Sequence, residues 1–167
     1  MKHSNLTLIG MPASGKSTVG VILAKVIGYD FLDTDLLIQK KTGKKLRELI
    51  AEQGIDGFLK IENEVLAGVR ADRCVIATGG SAVYGEEGMR HLCDLGKIIY
   101  LETEFQVIER RLRNIRRRGV VIRKGQTLLD LYRERTPLYE RYADLVIHEE
   151  RGDSEAVVQK ILGALTV

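Results

Sequence analysis

The stretch that most constrains this chain runs from Leu6 to Gly28. Leu6-Thr7-Leu8-Ile9 is a short apolar run of the buried-strand kind. It feeds into Gly10-Met11-Pro12-Ala13-Ser14-Gly15-Lys16-Ser17, which fits G-x-x-x-x-G-K-[ST] at every position. A loop with this spacing curls so that successive backbone N–H groups point inward around an anion, and glycines allow the tight turn and the close approach. Beyond it, Val19, Ile22, Leu23, Val26 and Ile27 recur at helical spacing, and Gly28 is placed to cap the helix. The free N–H groups of that helix's first turn, and the positive end of its dipole, face the same anion. Strand, loop and helix in this order predict a nucleoside-triphosphate site, with Gly10, Ala13, Ser14, Gly15, Lys16, Ser17 and Thr18 around the phosphates. Lys16 would reach the β- and γ-phosphates, and the Ser17 hydroxyl would take one position on Mg²⁺. A Gly/Ser turn with an incidental lysine would not require that order.

Downstream, apolar strand-like runs alternate with helical ones. Tyr29-Asp30-Phe31-Leu32 reads as a second strand ending at Asp33-Thr34-Asp35, and Leu36 to Thr42 as a short helix closed by Gly43. Helical pieces are expected from Leu46 to Gln53, stopped by Gly54, and from Phe58 to Val69 with Ile61, Val65, Leu66 and Val69 on one face. Cys74 to Ala77 is a third strand, Glu86 to Leu95 a helix, Ile98 to Leu101 a fourth strand and Glu104 to Asn114 a helix. Leu128 to Tyr142 is helical with a break expected at Pro137; Leu145 to Ile147 is the last strand and Glu155 to Leu165 the closing helix. Such alternation predicts an α/β fold in three layers, of the P-loop NTPase kind, with a parallel sheet of about five strands between helices. The whole chain, 1–167, reads as one domain, with no internal repeat or linker.

Ligands on an open parallel sheet collect at the carboxyl ends of its strands. Three chemistry-bearing segments sit there: the P-loop, Asp33-Thr34-Asp35 and Thr78-Gly79-Gly80-Ser81. If the chain is still extended at Asp33 and Asp35, both carboxylates lie on one side, one able to hold Mg²⁺ through water and the other to accept a hydroxyl proton. Helix capping is the competing use of Asp-x-Asp, and the two uses can share residues. The Gly79-Gly80 turn either presents backbone amides to a ligand or only meets a positive-φ requirement. Residues 110–124 hold Arg110, Arg111, Arg113, Arg116, Arg117, Arg118, Arg123 and Lys124 and no acid. They suit a solvated helix face, a nucleic-acid patch, or an arginine-bearing lid that closes over ATP, here about 114–126. No aromatic residue is interleaved there, which weakens single-strand nucleic-acid binding.

Composition narrows the partners. A net charge of +3 over 167 residues is too mild for a dedicated nucleic-acid binder. Cys74 and Cys93 lack CxxC or Cys/His spacing, and His3, His91 and His148 lack metal-ligand spacing, so neither zinc nor a disulfide framework is indicated. No apolar run reaches membrane-spanning length and Met1 to Asn5 lead straight into the first strand, so no membrane partner and a cytoplasmic location are expected.

Taken together, the P-loop, the Asp-x-Asp after the second strand, the Gly-Gly turn and Arg135-Thr136-Pro137-Leu138-Tyr139 resemble the shikimate kinases, small kinases of the nucleoside-monophosphate-kinase type. The resemblance runs from about Leu6 to the C-terminus. It implies an ATP- and Mg²⁺-dependent kinase acting on a hydroxyl of a small molecule, shikimate foremost, and a monomer. It implies that Asp33 helps bind Mg²⁺ with Ser17, that Asp35 contacts the acceptor and is the base, and that Gly79 and Gly80 line the acceptor pocket. Arg118 matches the lid arginine, catalytic together with Lys16 and Asp35. Arg135 matches the arginine on the acceptor carboxylate, and Arg111 the one stacked on adenine. The acceptor helices would span about 35–70. Two positions depart from the pattern. F-R-x-x-E is met by Phe58 and Glu62 but has Leu59 where the acceptor-binding arginine is usual, and Ser81 replaces the third glycine of the turn. A leucine makes no charge-assisted contact. The ATP half is therefore intact and the acceptor half altered, which leaves homoserine or a sugar acid as alternative acceptors. A nucleotide-binding module without catalysis, or an RNA-associated protein using the basic stretch, are the readings from other classes.

Overall fold

Short, mostly apolar strands build one sheet whose central strands are buried on both faces. The computed structural model describes residues 4–113, 119–149 and 152–166. Its strands are β1 (Asn5–Ile9), β2 (Asp30–Asp33), β3 (Cys74–Ala77), β4 (Gly96–Glu102) and β5 (Leu145–His148), all parallel, in the order β2-β3-β1-β4-β5. Ile9, Ile76 and Tyr100 face one layer with Leu66, Met89 and Leu92; their neighbours Leu8, Val75 and Ile99 face the other with Leu23, Val158 and Ile161. A strand buried on both sides has no polar face to show, which is why the runs read as continuously apolar. The helices are α1 (Lys16–Ile27), α2 (Thr34–Thr42), α3 (Leu46–Ala67), α4 (Glu86–Leu95), α5 (Phe105–Arg113), α6 (Leu128–Tyr142) and α7 (Ser154–Leu165). This is the α/β architecture that the alternation predicts.

One expectation holds and one needs correction. Gly54 (φ 70°, ψ 176°) does stop the first helical piece, and the second resumes directly after it, so that α3 is two helical pieces meeting at a kink. Pro137 does not break α6, which continues to Tyr142. Proline removes one N–H from the helical ladder. The turns on either side of it are fastened from outside, by Arg135 donating to the Val121 carbonyl (2.8 Å) and the Tyr139 hydroxyl donating to the Gly80 carbonyl (2.6 Å). Both side chains are buried, and they hold the helix across the gap.

Candidate active site

The central strand β1 hands the chain to the P-loop between its two neighbours β3 and β4, and the loop is built from unusual backbone. Gly10 has φ +147°, where a Cβ would lie 2.7 Å from the Leu101 carbonyl oxygen; Ala13 and Gly15 take φ 64° and 88°. Left-handed residues alternating with right-handed ones turn consecutive N–H groups inward, making an anion nest at the start of α1. Lys16 is buried, and its Nζ donates to the carbonyls of Gly10 (2.8 Å) and Met11 (2.7 Å) and to Ser14 Oγ (3.3 Å). Burial pulls the ammonium down to about 8; the Asp35 and Asp33 carboxylates oppose that and Arg135 adds to it.

Asp33 does two things at once. Its Oδ1 accepts from the backbone N–H of Asp35 (2.9 Å) and Leu36 (3.3 Å), capping α2, while its Oδ2 accepts from Ser17 Oγ (2.8 Å). Asp35 is not extended, as the one-sided arrangement of the pair supposed, but sits in the first turn of α2. That turn still aims it at the site. Burial first, then the neighbouring Asp33, raise its carboxyl to about 6 against the pull of Lys16.

A cavity of about 160 Å³ brings Lys16, Ser17, Asp35, Gly79, Gly80, Ser81 and Arg135 to one place, with Ala13, Gly15 and Thr18 along its phosphate-loop side. Gly79 and Gly80 are glycine because of close approach, not positive φ. A Cβ on Gly79 would sit 2.7 Å from Asp35 Oδ1 and 3.0 Å from Glu62 Oε2. One on Gly80 would meet Pro12 Cδ at 2.6 Å and Arg135 Nη1 at 2.9 Å. Arg135 is 1% exposed and, among the described residues, has no carboxylate within ion-pair distance; its Nε donates to the Tyr84 hydroxyl (3.3 Å) beside the cation–π contact to that ring. A buried guanidinium with free valence on a cavity is a ready anchor for an anion.

Other expected site residues lie off this cavity's wall, Asp33 among them beside Ser17. Gly10 and Ser14 stand behind the loop rather than on the cavity wall, shaping it from below. Leu59 does not line this cavity: it packs beside Phe58 and lines a separate small one with Ile55, Tyr84, Leu131 and Glu134. Arg111 bridges α5 to the P-loop, donating to the Ala13 carbonyl (2.9 Å) and pairing with Glu149 (2.5 Å). Arg118, with Arg116 and Arg117, lies outside the described residues. Of the described lid segment, Val121 is buried and Arg123 pairs with Asp56 (2.7 Å) across to α3.

Sequence reasoning assigned nothing to Tyr84 and Glu149, and used Glu62 and Tyr139 only as parts of patterns. Glu62 is 2% exposed and accepts from Ser81 Oγ at 2.7 Å. A signal for it existed: with Phe58, Val65 and Leu66 it is the one carboxylate on the apolar stripe of α3. Tyr139, stacked on Tyr100 at 5.1 Å, fixes the Gly80 carbonyl.

Comparison with known proteins agrees with this geometry. A sequence model of the shikimate kinase family matches residues 12–166. The chain is 42% identical over 163 residues to a shikimate kinase of Nostoc punctiforme, covering 95% of this chain and 88% of that one. It is 35% identical over 163 residues to shikimate kinase 2 of Pectobacterium carotovorum, covering 95% and 94%. Among solved structures it superimposes on shikimate kinase from Acinetobacter baumannii in complex with shikimate, with TM-score 0.87, 32% identity and coverage of 97% and 92%. A gluconokinase from Sinorhizobium meliloti, 20% identical at TM-score 0.57 with coverage of 97% and 91%, shares the fold. The chain belongs to the shikimate kinase family.

Proposed function

We propose that this protein transfers the γ-phosphoryl group of ATP to a hydroxyl of shikimate. The observation that carries the reading is that the buried Arg135 guanidinium, the Asp35 carboxylate and the P-loop lysine line one cavity. In it a small anionic polyol meets a cation at one end and a base at the other. The relatives' names and the shikimate held by the Acinetobacter protein supply the acceptor.

The residues divide the work. The nest of residues 10–15 and the first turn of α1 bind the phosphates, and Lys16 exchanges its bonds to loop carbonyls for bonds to phosphate oxygens. Ser17 Oγ and Asp33 Oδ2, already 2.8 Å apart, are hard oxygen donors of the kind that hold Mg²⁺ together with nucleotide oxygens. Mg²⁺ held there would supply neutralisation of the phosphate charge. Arg135 grips the acceptor carboxylate, and Gly79 and Gly80 leave room for its ring against Asp35. Asp35 takes the proton of the attacking hydroxyl, and Arg118 comes over the transferred group as the lid excludes water. Positioning and charge neutralisation supply most of the rate.

The test is ADP release from Mg·ATP with shikimate, homoserine and several sugar acids in parallel. Shikimate is expected to drive the fastest release. Faster turnover of another acceptor would overturn the substrate, and no acceptor-dependent release while ATP still binds would overturn catalysis itself.

A further inference from the structure

Glu62 stands where a carboxylate is costly. It lies on the buried stripe of α3, and the residues one turn earlier, Phe58 and Leu59, are both apolar, so that turn of α3 gives it no cation. Its Oε1 accepts the hydrogen bond of Ser81 Oγ at 2.7 Å; its Oε2 is buried and has no hydrogen-bond partner among the described residues. Asp35 of α2 and Arg135 and Tyr139 of α6 are the titratable groups facing it. Burial raises its carboxyl to about 7; Asp35 adds to the rise, while the Ser81 hydrogen bond and Arg135 oppose it.

Ser81, unlike Glu62, lines the cavity, as Arg135 does. A serine hydroxyl has one proton and two lone pairs. While Glu62 is ionised, that proton is committed to Oε1 and only lone pairs are left for the cavity. A proton added at Oε1 reverses the bond. The acid then donates to Ser81 Oγ, and the serine O–H is released toward the cavity. Protonation at Oε2 would bury a donor with no acceptor, so Oε1 is the favoured place.

We propose that Glu62 is a positioning residue that acts through Ser81: its protonated form turns the Ser81 hydroxyl toward the carboxylate of an anionic acceptor, and its ionised form withdraws that donor. The proposal rests on the reading of this cavity as the acceptor site. Its proton balance is simple: above the Glu62 midpoint, binding of the acceptor carries one proton from solvent onto Oε1, and no other bond changes.

The experiment is calorimetric titration of the whole protein with shikimate, without nucleotide, at pH 6.5 and 8.5 in buffers of different ionisation heat. Wild type is expected to bind more weakly at pH 8.5 by about one to one and a half powers of ten, because only the protonated fraction is competent, and to take up as much as about one proton there. Glu62→Gln removes most of the pH dependence and of the uptake. Ser81→Ala binds at pH 6.5 as weakly as wild type does at pH 8.5. A flat wild-type profile, a fall with pH in Glu62→Gln as steep as that of wild type (Lys16, on the same cavity, supplies only a shallower one), or full low-pH affinity in Ser81→Ala would each overturn the proposal. Carbon-13 NMR of the Glu62 carboxyl, assigned by its loss in Glu62→Gln, separates this idea from the choice of acceptor. A midpoint near that of an exposed glutamate overturns the switch whatever binds. A midpoint near neutrality with no shikimate binding at either pH overturns the acceptor reading, and the titration moves to whichever acceptor releases ADP.

Discussion

At the scale of single residues, the acceptor side of the cavity stores a measurable penalty in Glu62. Its carboxyl is raised from an ordinary 4.5 to about 7, burial being the main cause. Between those values the folded chain holds more protons than the unfolded one, so stability falls as pH climbs from 4.5 to 7 and stays low above. Glutamine at this position is neutral at every pH and keeps the shape. Whatever the buried amide itself costs, urea unfolding should therefore find that raising the pH from 4.5 to 8 destabilises wild type relative to Glu62→Gln by on the order of 3 kcal/mol. Parallel pH profiles for the two proteins would mean that Glu62 is ionised in the fold without penalty. A carboxylate on an apolar stripe is visible in the sequence beside Phe58 and Val65, but its partner is not. Ser81 follows β3, and only the packing of that strand's exit onto α3 brings its hydroxyl within 2.7 Å. Arg135 is alike: its chemistry is legible, whereas the Tyr84 ring and the Val121 carbonyl that aim it come from elsewhere in the chain.

At the scale of elements, the junction of β2 and α2 shows why the Asp33-Thr34-Asp35 segment left two uses open. A carboxylate has two oxygens, and here one caps the helix while the other faces Ser17. Substitution separates them. Asparagine caps as well as aspartate, so Asp33→Asn should unfold at nearly the wild-type urea concentration while its turnover needs far more Mg²⁺, roughly tenfold or beyond. Asp33→Ala loses the cap as well and should cost about 1 kcal/mol in the same unfolding experiment. An unchanged Mg²⁺ requirement in Asp33→Asn would remove Asp33 from the metal site and leave it a cap. The P-loop and the strands were legible because each signal is local: a fixed spacing in one case, a short mostly apolar run in the other, even where it is only the Phe31-Leu32 pair of β2. The continuity of α6 was not. Pro137 is a local signal for a break, and it is overruled by hydrogen bonds from Arg135 and Tyr139 to segments distant in sequence.

At the scale of the molecule, the cavity wall draws on Lys16 of α1, Asp35 of α2, Phe58 of α3, the turn after β3 and Arg135 of α6. β1 pairs on both edges, with β3 and β4, so the P-loop cannot lose its shape while the sheet persists. The two buried layers share that sheet, which ties the opening of one to the opening of the other. A ligand in this cavity should thus bind only the fully folded chain and stabilise all of it. Calorimetric unfolding should show one transition, moved upward as a whole by Mg²⁺ with a non-hydrolysable ATP analogue. At a hundredfold excess over Kd the gain is about 2.7 kcal/mol, or roughly 5–10 °C for a domain of this length. Lys16→Ala should keep the single transition and lose most of the shift, because the loop remains but its cation is gone. Two transitions, of which the ligand moves only one, would show that the acceptor helices fold apart from the nucleotide half. The hydrogen bonds from Arg135 to Val121 and from Tyr139 to Gly80 would then be too weak to hold the two halves as one unit.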